Sequence, residues 1–594
     1  MSGGSLTPEP AENAPGFRQS PGKIRAVFTS ARPSVAPDPS PYNPDMTTDS
    51  LAAASGRPFY ITTPIYYVND RPHVGSCYTT IVADCVARFM RLAGRDVFFL
   101  TGTDEHGQKV EKSASEKGKS PQELADENAA HFRDAFEFIE STHDDFIRTT
   151  EERHEKQVQE ALKALIASGD VYLGEFEGWY DEGQEEYVTE NQARERDYTA
   201  FNGRPLVKAT EKNYYFRLTK YWDRVRELIE GNETFVRPAG KRSEVLGRLK
   251  DEARDVPISR TNFSWGIPVP GDEQHVTYVW IDALMNYMTA LGKIDEGAGG
   301  VGAERRRYWD GSGEVVHLIG KEILWFHAVI WPALIMALED AGRDDLKLPT
   351  TVYAHSFWIR EGKKMSKTLG NFIDLETIHA YCDRYGLDAF RWYMLTQGPL
   401  SATDADFAYE HFVEVYNADL ANGFGNAHSR VTNMIAKYFG GSLPEPEADA
   451  DLGVDWAAVV AQKTGEAVDA MGAVDVSGAL GAGLGVSNAV DLFINETAPF
   501  RLAKDEANLP RVGTILYQCA EALRIAAVLM RPAMPSTMDA ALERLGAPIA
   551  EGQTLQELTR WGVLQPGASV VKGDALFPRA DAKDPEPSGV KTGA

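Results

Sequence analysis

Residues 59–101, FYITTPIYYVNDRPHVGSCYTTIVADCVARFMRLAGRDVFFLT, carry the pattern that decides the fold. The first segment, 59–67, is rich in β-branched and aromatic residues and is typical of a buried strand. Apolar residues then recur at helical spacing over 76–92, and Gly94 ends that run. Because residues 96–101 form a second short apolar strand, the stretch predicts a βαβ unit with two parallel strands.

Two later segments extend the same sheet. Residues 315–319 predict a strand that leads into a helix, and residues 351–359 return as an extended segment. The repeated order of strand, helix and strand predicts an α/β fold with a doubly wound, Rossmann-like parallel sheet. An insertion at 171–266 splits this sheet in the sequence. From about residue 417 onward the apolar spacing is helical, which predicts an all-α helix bundle.

The composition limits the classes of function. The chain has 594 residues with 61 Lys and Arg against 87 Asp and Glu, and this net charge of −26 disfavours general nucleic-acid binding. No run of about 18 apolar residues and no signal-peptide core occur, so neither membrane insertion nor secretion is expected. The cysteines form no CxxC pair, which indicates a reducing compartment and predicts a cytoplasmic protein. They are Cys77, Cys85, Cys382 and Cys519.

The loop after the first strand, NDRPHVGS at 69–76, opens directly onto the predicted helix. Gly75 would let a phosphate approach backbone N–H groups at the helix N-terminus, where the partial positive charge favours anions. His73 could donate a hydrogen bond to that phosphate. A histidine in a tight turn is more often a structural surface residue, so this motif alone does not decide between the two interpretations.

A second loop, KKMSKTLGN at 363–371, is basic within an acidic chain. Over 357–371 there are four basic residues against Glu361 alone, a local charge of +3. Lysine side chains next to glycine suit polyphosphate, and one of them can meet charge that develops on a leaving group. A lysine-rich solvated turn would show the same charge run. The two loops together favour the phosphate interpretation.

The HxG turn and the later KMSK segment, in this order, resemble the two signatures of the class I aminoacyl-tRNA synthetases. Within that class the chain is similar to the methionyl family over about residues 58–578. The blocks that carry this resemblance are TTPIYYVNDRPH (62–73), TGTDEHGQK (101–109), ISRTNFSWGIPVP (258–270), YVWIDALMNY (278–287) and IGKEILWFHAVIWPA (319–333).

The resemblance implies an enzyme, a methionine–tRNA ligase. Such an enzyme activates methionine with ATP and Mg²⁺ to methionyl adenylate, releases pyrophosphate, and transfers the methionyl group to the terminal ribose of tRNA(Met). It needs little covalent help from the protein, because phosphoryl transfer depends mainly on positioning and charge stabilisation. The chain ends about where the family's helix bundle should, so we expect a monomer without the appended C-terminal domain of some relatives.

The resemblance also assigns residues to sites. The methionine pocket of the family corresponds to Ile65, Tyr67, Asp104, Trp280, Ala283, Tyr287, Ile323 and His327. The ATP site corresponds to His73, Gly75, Gly320, Glu322 and Lys367. The catalytic residues are expected to be His73, Gly75, Lys364 and Lys367, and the anticodon-reading residues Asn426, Arg430 and Phe500. In the pocket, aromatic rings bind a thioether favourably, and Asp104 would pair with the substrate ammonium.

The insertion matches the connective domain of the family, where many relatives bind zinc through cysteine pairs. Here Asp181 and Gln184 stand where a CxxC would lie, and no second cysteine pair follows. Zinc bound by the usual cysteine-rich set is therefore not expected. The expected cofactors are ATP as substrate and Mg²⁺, with no zinc and no other structural metal.

The expected division of the chain follows from the pattern and the resemblance together. Residues 1–55 are rich in Pro, Ser, Gly and Ala and are predicted to be disordered. The remaining segments are 56–170 and 267–360 as the halves of the catalytic domain, 171–266 as the connective insertion, 361–416 as the KMSK loop and stem-contact segment, 417–562 as the anticodon-binding bundle, and 563–594 as a C-terminal tail.

Departures from the family pattern leave alternatives open. Ser76 replaces the second histidine of the first signature, Phe500 replaces a tryptophan, and Glu322 stands for an aspartate; Ser356 and Thr368 depart as well. Valine, isoleucine and leucine enzymes would need a large editing insertion, and a cysteine enzyme would need a zinc site for the thiol. A tRNA-binding protein without catalysis is the other alternative, which the retained His73 and Asp104 disfavour.

Overall fold

The computed structural model describes residues 55–588, apart from 70, 182–185, 189, 201–202, 294–302, 344–345, 366–370, 449 and 451. The predicted disordered extension, except for its last residue, lies outside the described residues. Lys367, Thr368 and Gln184 also lie outside them.

Strands and helices alternate over the first two thirds of the chain, and helices follow. The strands are β1 (Pro58–Thr62), β2 (Tyr66–Tyr67), β3 (Asp96–Asp104), β4 (Asp145–Arg148), β5 (Val171–Asp181), β6 (Glu186–Val188), β7 (Val207–Phe216), β8 (Val236–Arg237), β9 (Val256–Pro257), β10 (Ser259–Arg260), β11 (Pro268–Val269), β12 (Asp272–Thr277), β13 (Glu314–Gly320), β14 (Thr351–His355), β15 (Trp358–Arg360), β16 (Lys363–Lys364) and β17 (Ala405–Asp406).

The helices of the α/β part are α1 (Val74–Leu92), α2 (Gln108–Glu116), α3 (Pro121–Phe138), α4 (Glu152–Ala167), α5 (Glu190–Glu195), α6 (Leu218–Gly231), α7 (Ala239–Arg248), α8 (Val279–Thr289), α9 (Trp331–Asp340), α10 (Leu375–Tyr385) and α11 (Leu387–Gln397). Those of the bundle are α12 (Tyr409–Val415), α13 (Gly425–Phe439), α14 (Trp456–Gly472), α15 (Val476–Thr497), α16 (Pro499–Leu502), α17 (Leu509–Met530), α18 (Pro535–Arg544) and α19 (Leu555–Leu558). Short 3₁₀ or π turns occur at Ala303–Trp309, Lys321–Ile323, Phe326–Ile330, Tyr416–Phe424 and Glu506–Asn508.

The central sheet is parallel, with the strand order β2–β3–β1–β13–β14–β8, and β4 also pairs with β3. Phe59 lies opposite Val97 on one side of β1 and opposite Glu314 on the other. Helices connect these parallel strands, so the predicted Rossmann-like fold with a helical C-terminal part is confirmed.

The first βαβ unit follows its sequence pattern closely. Helix α1 begins two residues earlier than the apolar spacing indicated, because His73 acts as its N-cap. It ends at Leu92, and Gly94 takes a φ of +84° that favours glycine. The predicted first strand is divided instead into β1 and β2 on either side of Pro64. Proline has no N–H group and restricts the residue before it, so ladder pairing stops there.

The segment 171–266 contains its own antiparallel sheet, with the order β6–β5–β7–β9. Within the same segment, β8 pairs parallel with β14, with Val236 opposite Val352. The segment therefore also contributes a strand to the central sheet. A strand of two residues is too short to produce a periodic signal, so the sequence did not indicate it.

Two helical stretches of the bundle, Val476–Leu502 and Glu506–Met530, are long and apolar enough by composition alone to cross a membrane. In the structure 56% and 94% of their most apolar windows are buried. Helix α17 packs against α13 and α15. Packing inside the bundle thus accounts for their apolar composition.

A buried ion pair joins α1 to α11. Arg391 of α11 and Asp84 of α1 are both fully buried, 2.6 Å apart. The same guanidinium donates to the carbonyl oxygens of Ile139 and Ala533 at 2.9 Å. A buried pair is tolerated when its remaining hydrogen-bonding groups are satisfied, and these contacts connect three parts of the chain.

Candidate active site

The HxG turn forms the N-terminus of α1. The Gly75 N–H donates to His73 Nδ1 at 2.9 Å, and the His73 N–H donates to Ser76 Oγ at 3.0 Å. Because Nδ1 accepts a hydrogen bond, the neutral His73 ring carries its proton on Nε2, which can donate to an anion. A Cβ at position 75 would lie 2.8 Å from His73 Cε1, so glycine permits this ring position. Ser76, a departure from the family, completes a capping box.

The segment that follows the KMSK loop lies against the HxG turn. The Val74 N–H donates to the Ile373 carbonyl at 3.1 Å, and the rings of His73 and Phe372 are 5.1 Å apart. Before the loop, Lys364 pairs with Ile359 in the β15–β16 hairpin. The loop itself, with Lys367, lies outside the described residues, but the residues just after it meet the first signature.

The predicted nucleoside contacts lie at the carboxyl end of β13. Gly320 ends this strand, and Glu322 lies in the 3₁₀ turn that follows. A Cβ on Gly320 would meet the Glu322 carboxylate, so a larger residue at this position would displace that carboxylate. Between them, Lys321 forms an ion pair with Asp404 at 2.5 Å, and its ammonium lies 4.5 Å from the centre of the Phe357 ring.

The predicted methionine pocket is built on α8 and its neighbours. The Tyr287 hydroxyl donates to His327 Nε2 at 2.7 Å, and His327 Nδ1 donates to the Ile323 carbonyl at 3.0 Å. Trp280, near the start of α8, stacks on Phe326 with ring centroids 4.2 Å apart. Residues 280, 283 and 287 share one face of the helix, so Ala283 leaves space between two aromatic rings.

The strand ends opposite α8 supply the remaining predicted pocket residues. Tyr67 of β2 pairs with Asp104 at the end of β3, and Asp104 is only 8% exposed. Ile65, Tyr67, Trp280 and Ile323 pack against the same core cluster that contains Tyr287. The carboxyl ends of parallel strands form the crevice where doubly wound folds bind ligands. The structure therefore brings these residues to the expected edge of the sheet.

Two of the predicted anticodon residues, Asn426 and Arg430, share a partner in the bundle. Asn426 and Arg430 lie one turn apart on α13, and both contact Asp491 of α15. Arg430 also donates to Asn495 at 2.8 Å. Phe500 on α16 is 41% exposed, which is high for a large apolar side chain. The sequence did not identify Asp491 and Asn495; their spacing of four residues on a helix was the available signal.

In the connective region, the Glu190 carboxylate joins two aromatic residues. It accepts from Trp179 Nε1 at 2.6 Å and from the Tyr198 hydroxyl at 2.8 Å, and the two rings are 4.7 Å apart. Asp181 is buried. Among the residues that the structure describes, no group of three or more His, Cys, Asp or Glu side chains is arranged to hold a metal ion.

Comparison with known proteins decides the family. The model of the family "tRNA synthetases class I (M)" matches residues 59–196 and 195–432. The methionine–tRNA ligase of Caldanaerobacter subterraneus is 42% identical over 525 residues, which cover 88% of this chain and 79% of the relative. The chain belongs to the methionyl family of class I tRNA synthetases.

Other members of the family support the same assignment. The Thermotoga maritima methionine–tRNA ligase is 42% identical over 89% of this chain and 81% of its own length. The crystal structure of Mycobacterium tuberculosis methionyl-tRNA synthetase bound by methionyl-adenylate matches with a TM-score of 0.78 and 35% identity, over 88% of this chain and all of that one. Its apo form matches with a TM-score of 0.74. The family match includes both signatures and the pocket described above.

Proposed function

We propose that the chain is a methionine–tRNA ligase that activates L-methionine with ATP and transfers it to tRNA(Met). The observation that carries this proposal is that the HxG turn follows β2 while His327, which contacts Tyr287, follows β13, so the turn and the aromatic pocket both lie at the carboxyl ends of strands of the central sheet. The match to relatives that bear this name supports it. The pocket gives the amino-acid specificity, and the turn gives the phosphate chemistry.

Methionine fits the chemistry of the pocket. Its side chain is unbranched and apolar, and contacts between its sulfur and aromatic rings contribute about 0.3 to 1.5 kcal/mol each. Trp280 and Tyr287 supply such rings. Asp104, at the rim formed by the strand ends, would accept the ammonium group. The carboxylate of methionine would then point towards the HxG turn.

The activation step transfers an adenylyl group without covalent help from the enzyme. The methionine carboxylate attacks the α-phosphate of ATP, the bond between the α-phosphorus and the oxygen bridging it to the β-phosphate breaks, and pyrophosphate leaves with that electron pair. His73 would donate from Nε2 to a phosphate oxygen, and Lys364 and Lys367 would stabilise negative charge on the leaving group. Gly75 would let the phosphates approach the backbone of α1.

Magnesium would enter with ATP. Mg²⁺ usually binds through substrate phosphates with one or two carboxylates, and the described residues offer no preformed metal cluster. Mg²⁺ would share the phosphate charge, and its protein contacts would be few. We also propose that the connective region needs no zinc. Metal analysis of the purified protein should find no stoichiometric zinc; one zinc per chain would contradict this.

The buried histidine of the pocket gives a pH prediction. Burial lowers the pKa of His327 to about 4, although its hydrogen bond to the Ile323 carbonyl acts in the opposite direction. Because this value lies below the ordinary pKa of about 6.5, the ring stays neutral until the pH approaches 4. His327 should therefore cause no inflection near pH 6.5 in the KM for methionine. The substitution His327→Gln should remove no inflection at that pH. Pyrophosphate exchange between about pH 5.5 and 8 would measure it.

The anticodon assignment predicts an effect confined to tRNA. Stacking of a base on an aromatic ring is worth about 1 to 3 kcal/mol, so Phe500→Ala should raise the KM for tRNA by about 5- to 100-fold. Methionine-dependent pyrophosphate exchange, which needs no tRNA, should stay unchanged. Val571→Ala removes another exposed apolar side chain and should change neither activity. An unchanged KM for tRNA in Phe500→Ala would contradict the assignment.

We propose further that the enzyme acts as a monomer in the cytoplasm, without a membrane. The four cysteines are free, as suits a reducing compartment. The apolar helices of the bundle are covered by one another.

Aminoacylation tests the proposed function as a whole. The full chain should charge a tRNA(Met) transcript with methionine in the presence of ATP and Mg²⁺. The same transcript with an altered anticodon should be a poor substrate, because we assign Asn426 and Arg430 to the recognition of anticodon bases. Equal charging of both transcripts would refute the anticodon assignment, and no charging of either would refute the proposal.

A further inference from the structure

Three consecutive residues at the end of β3 are anchored in different directions. Asp104 is the predicted ammonium-binding residue. Next to it, the fully buried Glu105 accepts from Arg148 at 2.7 and 2.9 Å and from the Thr150 hydroxyl at 2.5 Å. His106, the third residue, is turned towards α8. The residue after Asp104 is thus held to the end of β4 and to the loop that follows it.

His106 is joined to α8 through a buried carboxylate. His106 Nδ1 donates to Asp282 Oδ2 at 2.7 Å, and His154 Nε2 donates to Asp282 Oδ1 at 2.6 Å. The side chains of Asp282 and His154 are fully buried, and that of His106 is 3% exposed. Each oxygen of one carboxylate therefore contacts a different imidazole. These contacts join the end of β3, the helix α8 and the helix α4.

The charge state of the group is consistent with this geometry. Burial would raise the pKa of Asp282, but His106 and His154 lower it to about 2, so it stays ionised. Burial would also lower the pKa of His106, but Asp282, together with Glu155 and Glu105, raises it above the ordinary value. Asp282 is therefore ionised near neutral pH, and the contact with it shifts His106 towards its charged form.

His154 also contacts the far end of the same helix. Its Nδ1 lies 2.7 Å from the hydroxyl of Thr289, the last residue of α8, while its Nε2 contacts Asp282 in the first turn. On α4, one turn away, Gln157 donates to the Thr289 carbonyl at 2.9 Å. One imidazole thus holds both ends of the helix that carries Trp280, Ala283 and Tyr287.

We propose that His106, Asp282 and His154 are positioning residues that set the distance between Asp104 and the aromatic wall of the methionine pocket. This inference rests on the proposed function. Asp282 lies on the face of α8 away from Trp280 and Tyr287. The three side chains of His106, Asp282 and His154, here called the relay, therefore act behind the pocket and do not contact methionine. A buried ionic group is rarely the most stable way to fill a core, whereas its directional hydrogen bonds determine the relative position of the elements that it joins.

Substitutions that move the donor atom test the relay. An asparagine amide nitrogen can occupy the place of Nδ1 of a histidine, and a glutamine amide nitrogen that of Nε2. Because His106 contacts Asp282 through Nδ1 and His154 contacts it through Nε2, His106→Asn and His154→Gln keep the hydrogen bond to Asp282 and should bind methionine within about twofold of the native chain. His106→Gln and His154→Asn should weaken methionine binding by about tenfold or more, since small displacements of a binding group are costly.

The measurements are the Kd for methionine by calorimetry and the KM values for methionine and ATP in pyrophosphate exchange. The relay predicts weaker methionine binding in His106→Gln and His154→Asn, with a KM for ATP within twofold of native. The thermal unfolding of all four variants should be similar. His428→Leu removes a buried imidazole of the bundle and should leave both KM values unchanged. If the two histidines only fill space, the same replacement, asparagine or glutamine, should give the tighter methionine binding at both positions.

Tighter methionine binding with asparagine at position 106 and with glutamine at position 154 would support the relay. Tighter binding with the same replacement at both positions, or a Kd for methionine within twofold of native in all four variants, would overturn it. Because the native chain is measured beside the variants, a native chain without methionine-dependent exchange would overturn the proposed function. A native rate combined with unaltered His106→Gln and His154→Asn variants would overturn the relay alone.

Discussion

Asp104→Asn is expected to raise the KM for methionine by about 100-fold or more, with little change in the KM for ATP. Asp104 is 8% exposed at the end of β3, so an ammonium group bound to its carboxylate would lose most of its water. Removal of one partner of a buried charge pair costs about 3 to 5 kcal/mol, which corresponds to a factor of about 10² to 4 × 10³. Methionine-dependent pyrophosphate exchange over a range of methionine concentrations measures it.

The control for this variant is Asp340→Asn. Asp340 pairs with Arg224 at 3.0 Å on the protein surface, and surface pairs contribute little. Its KM for methionine should equal that of the native chain. A KM within threefold of native in Asp104→Asn would show that Asp104 does not bind the ammonium group, and the pocket assignment would then have to change.

Lys367→Ala is expected to reduce the rate of adenylate formation by about 10² to 10³, with methionine binding almost unchanged. A preorganised group that stabilises charge only in the transition state affects kcat far more than the KM for the substrate. The rest of the loop would remain, because alanine removes only the side chain. Single-turnover adenylate formation and equilibrium binding of methionine would separate the two effects.

Lys363→Ala is the matched control in the same basic segment. Lys363 is the first residue of β16, lies opposite Arg360 and is exposed, so its loss should reduce the rate only slightly. Unchanged methionine-dependent pyrophosphate exchange in Lys367→Ala would refute the assignment of this lysine to the pyrophosphate leaving group.

Local patterns predicted much of the fold. The helical spacing before Gly94 and the apolar strands on either side were enough to predict the β1–α1–β3 unit and its parallel pairing. Pro64 divides the first strand because it has no N–H to donate, an effect that composition alone underestimates. The short strand β8 had no periodic signal, and its pairing with β14 is a long-range contact that local patterns do not encode.

The sequence predicted which residues belong to the site, but not the contacts that hold those residues in place. The HxG turn and the pocket residues stand in recognisable blocks, and the structure places Tyr287 and His327 in contact. In the sequence, Ser76 indicates only that an imidazole is missing. In the structure, its hydroxyl accepts a hydrogen bond from the His73 N–H in the capping box of α1. The contact between His106 and Asp282 joins residues 176 positions apart, and nothing in a single sequence links them.

The net charge of −26 has a different meaning once the family is known. An acidic surface disfavours indiscriminate binding of nucleic acid, whereas a tRNA can be bound through small basic areas. The KMSK segment, at +3 over residues 357–371, is one such area. We expect steeply salt-sensitive tRNA binding and weak binding to unrelated duplex DNA.

Amino-acid-dependent exchange of pyrophosphate into ATP, measured for all twenty amino acids with the full chain, tests the central claim most directly. The exchange requires both the phosphate chemistry of the HxG turn and the specificity of the pocket, and it needs no tRNA. We predict rapid exchange with methionine and at most trace exchange with every other amino acid. Exchange with none of them, or faster exchange with an amino acid other than methionine, would contradict the account.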